Sequence, residues 1–255
     1  MGWGDQVGQH QTRLTALKTS VHLLSGGAAQ GLVNALKTFF EAAQGASLSC
    51  TFGAVGAMRQ KLMDGAPCDV LILTAALIEQ LTSTGQVQAG SAKPLGVVKT
   101  GVAVKTNTPW PQLETAQQLT QAMRLATGIY FPDPQLATAG IHFMKVLRSL
   151  GIDQEVAHKL QPFPNGNAAM NAMAACDDPA VIGCTQVTEI LITPGVDWVA
   201  NLPIEFELAT VYTASVCSAS KNPQAAHALI DLLASTQHAA LRAQGGFLPV
   251  PSQLQ

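Results

Sequence analysis

Residues 21–56 read VHLLSGGAAQGLVNALKTFFEAAQGASLSCTFGAVG, and the hydrophobic period changes repeatedly within them. Val21 to Leu24, a mostly apolar stretch that includes His22, reads as a short buried strand. Ser25-Gly26-Gly27 is a loop, and Leu32, Ala35, Leu36, Phe39 and Ala43 then recur at helical spacing. Leu48 to Phe52 reads as a second strand, Gly53-Ala54-Val55-Gly56 as a second loop, Ala57 to Met63 as a short helix, and Asp69 to Leu73 as a third strand. Strands that alternate with helices imply a mainly parallel sheet covered on both faces, an α/β architecture.

The alternation continues downstream. Leu95 to Lys105 (LGVVKTGVAVK) is β-rich and Pro109-Trp110-Pro111 reads as a linker. A second series follows, with a helix around Ala116 to Leu125, a strand at Gly128 to Phe131, a Pro-Asp-Pro turn, and a helix from about Ala139 to Leu150. Asn167 to Ala175 reads as helix, Ala180 to Thr185 as strand, and Val187 to Leu191 as the start of another helix. Ala209 to Ser218 is a long β-rich run, with helices at Pro223 to Ala234 and Gln237 to Gln244. Two αβ lobes are therefore expected, the chain crossing between them near Lys105 and again near Glu207. The expected division is an N-terminal extension over residues 1–18, a first lobe of 19–104 plus 207–255, and a second lobe of 105–206.

Composition limits the function. The 255 residues carry 14 Lys+Arg against 16 Asp+Glu, a net charge of -2, and only 12% are charged, against roughly 25% in typical soluble domains. That leaves no basic surface for nucleic acid. Apolar runs such as Val70 to Leu73 and Ala75 to Ile78 fall well short of the roughly 20 residues of a membrane span, so a soluble chain without membrane insertion is expected. The first twenty residues hold Asp5, His10, Arg13 and Lys18 and no apolar stretch resembling a secretory signal. The expected location is cytoplasmic as the sequence stands, and periplasmic if an export signal has been removed. Cys50, Cys68, Cys176, Cys184 and Cys217 are odd in number, far apart and without metal-ligand spacing. They read as buried small hydrophobes, unpaired and suited to a reducing compartment. No metal and no cofactor are expected.

Three loops share one character: Ser25-Gly26-Gly27-Ala28, Thr51-Phe52-Gly53-Ala54-Val55-Gly56 and Ala137-Thr138-Ala139-Gly140. Each follows a strand and opens a helix, so each presents unpaired N–H groups and the positive end of a helix dipole. Together they suit a small anion. No GxxxxGK[ST], GxGxxG, GxSxG or HExxH occurs, which removes the phosphate-loop, dinucleotide, serine-hydrolase and zincin signatures. Arg59, one turn into the helix after the second loop, is either a carboxylate clamp or a solvated surface arginine. His142, early in the helix after the third loop, is either a proton carrier or a packing histidine. Thr185 and Gln186 are neutral hydrogen-bonding groups at a strand end, Thr74 is a further candidate ligand contact, and Asp133 reads mainly as a turn former.

These segments carry a resemblance. LLSGGAAQGLVNAL, TFGAVGAMRQKLMDGAPCDVLILTAALIEQL, YFPDPQLATAGIHFMKVLRSLGI, IGCTQVTEILITPGVDWVANLPIEF and the terminal PQAAHALIDLLAS…GGF follow the order found in solute-binding proteins of molybdate-type ABC transporters. These have the two-lobed type II periplasmic-binding fold, and the resemblance spans about Val21 to Phe247. It implies a ligand cleft between the lobes, lined by loops at helix N-termini, and an ABC permease as partner if the protein is exported. Ser25 matches the family's first-loop serine. The second-loop serine has no counterpart, since Gly53-Ala54-Val55-Gly56 stands there, and Gly183-Cys184-Thr185-Gln186 replaces the tyrosine near the fourth loop. These departures point away from molybdate and toward an organic carboxylate backed by Arg59. The second reading is an isomerase similar to aconitate isomerase, which moves a double bond in a tricarboxylate by proton abstraction and return; here His142 would carry the proton.

Overall fold

The computed structural model describes residues 19–251. The expectation for residues 1–18 lies outside them.

In the first lobe, β1 (Ser20–Gly26), β2 (Ser47–Gly53) and β3 (Val70–Thr74) alternate with α1 (Gln30–Gln44), α2 (Val55–Met63) and α3 (Ala75–Ser83). A 3-10 turn over Gly27–Ala29 separates β1 from α1. The helix α1 buries Leu32, Val33, Leu36 and Phe40, all on one stripe, and ends at Gly45, whose φ of 61° is the left-handed conformation glycine takes without penalty. Then β4 (Lys93–Lys105) runs into the second lobe. That lobe contains α4 (Ala116–Leu125), β5 (Gly128–Pro132), α5 (Thr138–Ser149), β6 (Leu160–Phe163), α6 (Gly166–Ala175), β7 (Val181–Gln186), α7 (Val187–Leu191) and β8 (Val196–Asn201). The chain returns through β9 (Ala209–Val216) and ends in α8 (Pro223–Ala234) and α9 (Ala239–Gln244).

Among the described residues nine strands form one curled sheet in the order β2-β1-β3-β9-β4-β7-β5-β6, with β8 also paired to β4. Taken over both lobes the sheet is mixed. A parallel trio stands at each end, β2-β1-β3 and β7-β5-β6, while β9 runs antiparallel to β3 and β4, and β4 antiparallel to β7 and β8. The two strands that pass between lobes need no helical crossover, so the parallel rule does not bind them. Lys93–Lys99 of β4 pair with β9, and from Thr100 onward the same strand pairs with β7 and β8. The change of sheet thus falls near Lys99, and the return lies between Asn201 and Ala209.

One apolar core lies under β1, β3, β9, α1 and α8, and a second, in two patches, lies among β4, β5, β7, α4, α5 and α6. Pro109-Trp110-Pro111 lies in the loop between β4 and α4, on the second lobe, and is not the connection between lobes. No helix of the described residues is long and apolar enough to cross a membrane.

Candidate functional site

The parallel trios point the carboxyl ends of their strands at each other, so the loops after β1, β2, β5, β6 and β7 meet in a narrow cleft between the lobes. From the first lobe come Gly27 and Ala28, Gly53 to Val55, and Tyr212 of β9. The second lobe supplies Pro132, Ala137 to Ala139, Asn165, Gly166, Gln186 and Glu189. Neither α2 nor α5 has a side-chain cap at its N-terminus, so their first-turn N–H groups remain donors in need of acceptors. One of them is met across the cleft: Gly56 N–H donates to Leu136 O at 3.0 Å. The lobes therefore touch, and α7 packs on the Gly27–Ala29 turn and on α1.

Two polar side chains dominate the second-lobe wall. Gln186 is 2% exposed, and neither its Nε2 nor its Oε1 has a hydrogen-bond partner. A buried amide with no partner at all costs on the order of 1–3 kcal/mol, and no protein group meets either end of the Gln186 amide. Glu189 is also buried, with Oε2 accepting from Thr185 Oγ1 at 2.6 Å. Burial pushes its carboxyl above the usual range, against the opposing pull of Thr185 and of N–H groups of Asn167, Gly166 and Gln186. Opposite it, burial and the Glu189 charge raise the Tyr212 phenol, while a hydrogen bond with Thr138 acts the other way. Gly27 leaves no room to spare: a Cβ there would overlap Glu189 Oε1. The cleft thus closes on a buried acid.

The structure brings together only part of the expected set. Gly27, Gly53, Val55, Thr138, Ala139 and Gln186 line the cleft. Behind them, Ser25 is fully buried and its Oγ donates to Gly26 O at 2.8 Å, Gly26 packs under Val55 and Tyr212, Thr185 holds Glu189, and Gly140 packs on the Pro132 and Asp133 carbonyls. Gly56 serves the contact with Leu136, and Thr74 precedes α3. Thr51 and Arg59 are exposed and lie outside the cleft lining. Arg59 projects from the solvent side of α2, whose buried face is Val55 and Met58. His142 is likewise outside, its Nε2 at 2.7 Å from Phe206 O. Asp133 forms the turn, with Oδ1 accepting from Gln135 N and Leu136 N at 2.7 and 2.9 Å.

Sequence reasoning missed Glu189, Tyr212 and Asn165. A faint signal existed for Glu189: an acid three residues after Gln186, where it reaches back to that residue's N–H as in a capping box. Asn165 was hidden in a Pro-Asn-Gly turn signal, although its side chain caps α6 by accepting from Ala168 N at 2.9 Å. Tyr212 carried no local signal. Among the described residues no three His, Cys, Asp or Glu side chains gather as a metal ion would require.

Comparison with known proteins gives three kinds of match. The sequence profile of the family described as bacterial extracellular solute-binding protein matches residues 21–248. A curated relative, aconitate isomerase from Pseudomonas sp, is 26% identical over 241 residues, covering 92% of this chain and 90% of that protein. Among solved structures, the periplasmic molybdate-binding protein of Azotobacter vinelandii superposes with a TM-score of 0.75 at 18% identity, covering 91% of this chain and 100% of that one. The sulfate-binding protein SubI from Mycobacterium tuberculosis H37Rv gives 0.70 at 18% identity, covering 92% and 88%. At such identity the structures speak for the fold alone: two lobes and a cleft of type II periplasmic-binding form.

Proposed function

The chain belongs to the bacterial extracellular solute-binding protein family, and from that premise we propose that it captures a small organic carboxylate by closing its two lobes around it. The observation that carries this reading is Gln186, a buried and wholly unpartnered amide on the cleft wall. An amide that must both donate and accept suits a ligand bearing carboxylate together with carboxyl or hydroxyl groups. Sulfate and molybdate at neutral pH offer acceptors only, and a tetrahedral oxyanion would also meet the buried Glu189 carboxyl. Uncapped starts of α2 and α5 supply the positive field that Arg59, on the solvent side, does not. Ala28, Val55 and Ala139 offer apolar surface for the ligand's carbon frame. The partner on this reading is an ABC permease that receives the closed, loaded form.

The test is a thermal-shift series with molybdate, sulfate, phosphate, citrate, cis- and trans-aconitate and dicarboxylates. A ligand at 100 times its Kd stabilises by about 2.7 kcal/mol, or roughly 5–10 °C for a chain of this size. A di- or tricarboxylate is expected to give that shift. Stabilisation by inorganic oxyanions alone would sink the proposal.

A second reading is favoured by Glu189 itself, together with the curated aconitate isomerase relative. A buried carboxyl of raised pKa in a closed cleft is suited to carry a proton. In a 1,3-shift its carboxylate takes a proton from the carbon next to a double bond, the electron pair moves, and the same proton returns at the far carbon, with no net change in protons or electrons. Glu189 occupies the role first expected of His142. Conversion of cis- to trans-aconitate followed by NMR tests it: Glu189→Gln, which keeps shape and capping, is expected to cut turnover at least 100-fold while ligand-induced stabilisation persists. Full turnover by the variant would remove Glu189, and none by the unsubstituted protein would remove the isomerase reading.

A further inference from the structure

Cys68 and Cys217, 149 residues apart in sequence, place their Sγ atoms 3.2 Å from each other. Cys68 lies just before β3 and Cys217 just after β9, two strands paired antiparallel with Val70 opposite Val216. The ladder continues past them, since Cys217 N–H donates to Asp69 O at 3.0 Å and Cys217 bridges to Val87. The intervening Asp69 is tied down as well: its Oδ1 accepts from Ser220 Oγ at 2.7 Å and from Lys221 N and Asn222 N at 3.0 Å. Backbone on both sides is therefore fixed, and both side chains are buried, at 8% and 1% exposure. From 3.2 Å the two Sγ atoms need to approach by only about 1 Å to reach the roughly 2.05 Å of a disulfide.

We propose that Cys68 and Cys217 form a disulfide when this chain folds in an oxidising compartment. The family's extracellular description supplies that setting. Two thiols give up two protons and two electrons as the Sγ–Sγ bond forms. A disulfide-bearing oxidant, glutathione disulfide or a dithiol–disulfide oxidoreductase, takes the electrons through a mixed disulfide and leaves as thiols. The remaining cysteines are placed otherwise: Cys50 Sγ faces Leu48 O, Cys176 faces the Tyr130 hydroxyl, and Cys184 is buried within the second lobe. In the folded reduced protein the Cys217 thiol is held up by its Cys68 neighbour, by burial and by the Asp69 charge, so the bond forms as the chain folds and only slowly afterwards. The pair closes the start of β3 to the end of β9, at the opposite end of β3 from Thr74, and leaves the cleft untouched.

The experiment is refolding of the full chain from denaturant in a reduced/oxidised glutathione mixture and, in parallel, in dithiothreitol, followed by alkylation and peptide mapping. Expected are one Cys68–Cys217 cross-linked peptide, three alkylated cysteines, and a Tm raised by roughly 5–10 °C over the reduced form. Cys217→Ser and Cys68→Ser are expected to lose both the cross-link and the redox dependence of Tm. Five alkylated cysteines after oxidative refolding, a bridge between other residues, or a stable glutathione adduct on either thiol would overturn the proposal. The map of the unsubstituted chain decides the matter even where a serine variant does not fold.

Discussion

Asp69 and Glu189 are both buried carboxylates, and their surroundings drive them in opposite directions. At Asp69, burial alone would raise the pKa, but hydrogen bonds from His22 N, Ser220 and Asn222 outweigh it and the net shift is downward. A lowered folded pKa stabilises above the unfolded value, and this stability is lost as the pH falls through the folded pKa. Asp69→Asn replaces an acceptor of several bonds by a group that is half donor. It is expected to cost about 1–3 kcal/mol at pH 7, with the deficit shrinking toward pH 3, as urea titrations at the two pH values would reveal. Glu189 has the reverse sign: the folded state prefers its protonated form, so its contribution to stability declines as pH rises from the unfolded value through the folded one. The position of Gln186 at the cleft was legible from sequence because it ends a strand. Arg59 stands on the solvent side of α2, a placement that charge and chain position could not reveal.

Helix ends divide the elements into two kinds. At the start of α4, Thr115 and Gln118 form a complete capping box, with Gln118 N donating to Thr115 Oγ1 at 3.2 Å and Thr115 N to Gln118 Oε1 at 3.1 Å. The helices α2 and α5 lack such caps and open on the cleft. Thr115→Ala is expected to lower stability by about 1 kcal/mol and leave ligand affinity unchanged, which chemical denaturation and calorimetric titration would check. Periodicity placed α4 and α8 at their observed ends because each has a clear start signal, Thr115 for the one and Pro223 for the other. The strands β6 and β8 went unread. Pro162 interrupts β6, which sits at the sheet edge, and among the described residues β6 pairs only with β5 and β8 only with β4, β8 staying partly exposed. Edge strands show little of the continuous apolar run that marks buried ones.

At the scale of the whole molecule the decisive contacts cross the cleft. Gly27 on the first lobe faces Glu189 on the second, and Gly56 N meets Leu136 O. In Gly27→Ala the new Cβ would collide with Glu189 where the two lobes meet, while packing within each lobe is spared. The variant is expected to weaken ligand binding at least about tenfold, or roughly 1.4 kcal/mol. Small-angle scattering should show no ligand-induced contraction, and undiminished affinity with normal contraction would show that closure does not pass through this contact. The alternation of strand and helix, the order of the two lobes and the glycine loops were determined by the sequence itself, because local periodicity and turn chemistry act over a few residues. Which residues face one another was decided only by tertiary structure: Glu189 with Gly27, Tyr212 with Thr138, Cys68 with Cys217. Such pairs lie far apart along the chain, and their meeting depends on how two cores pack about a pair of crossing strands, which no short stretch of sequence encodes.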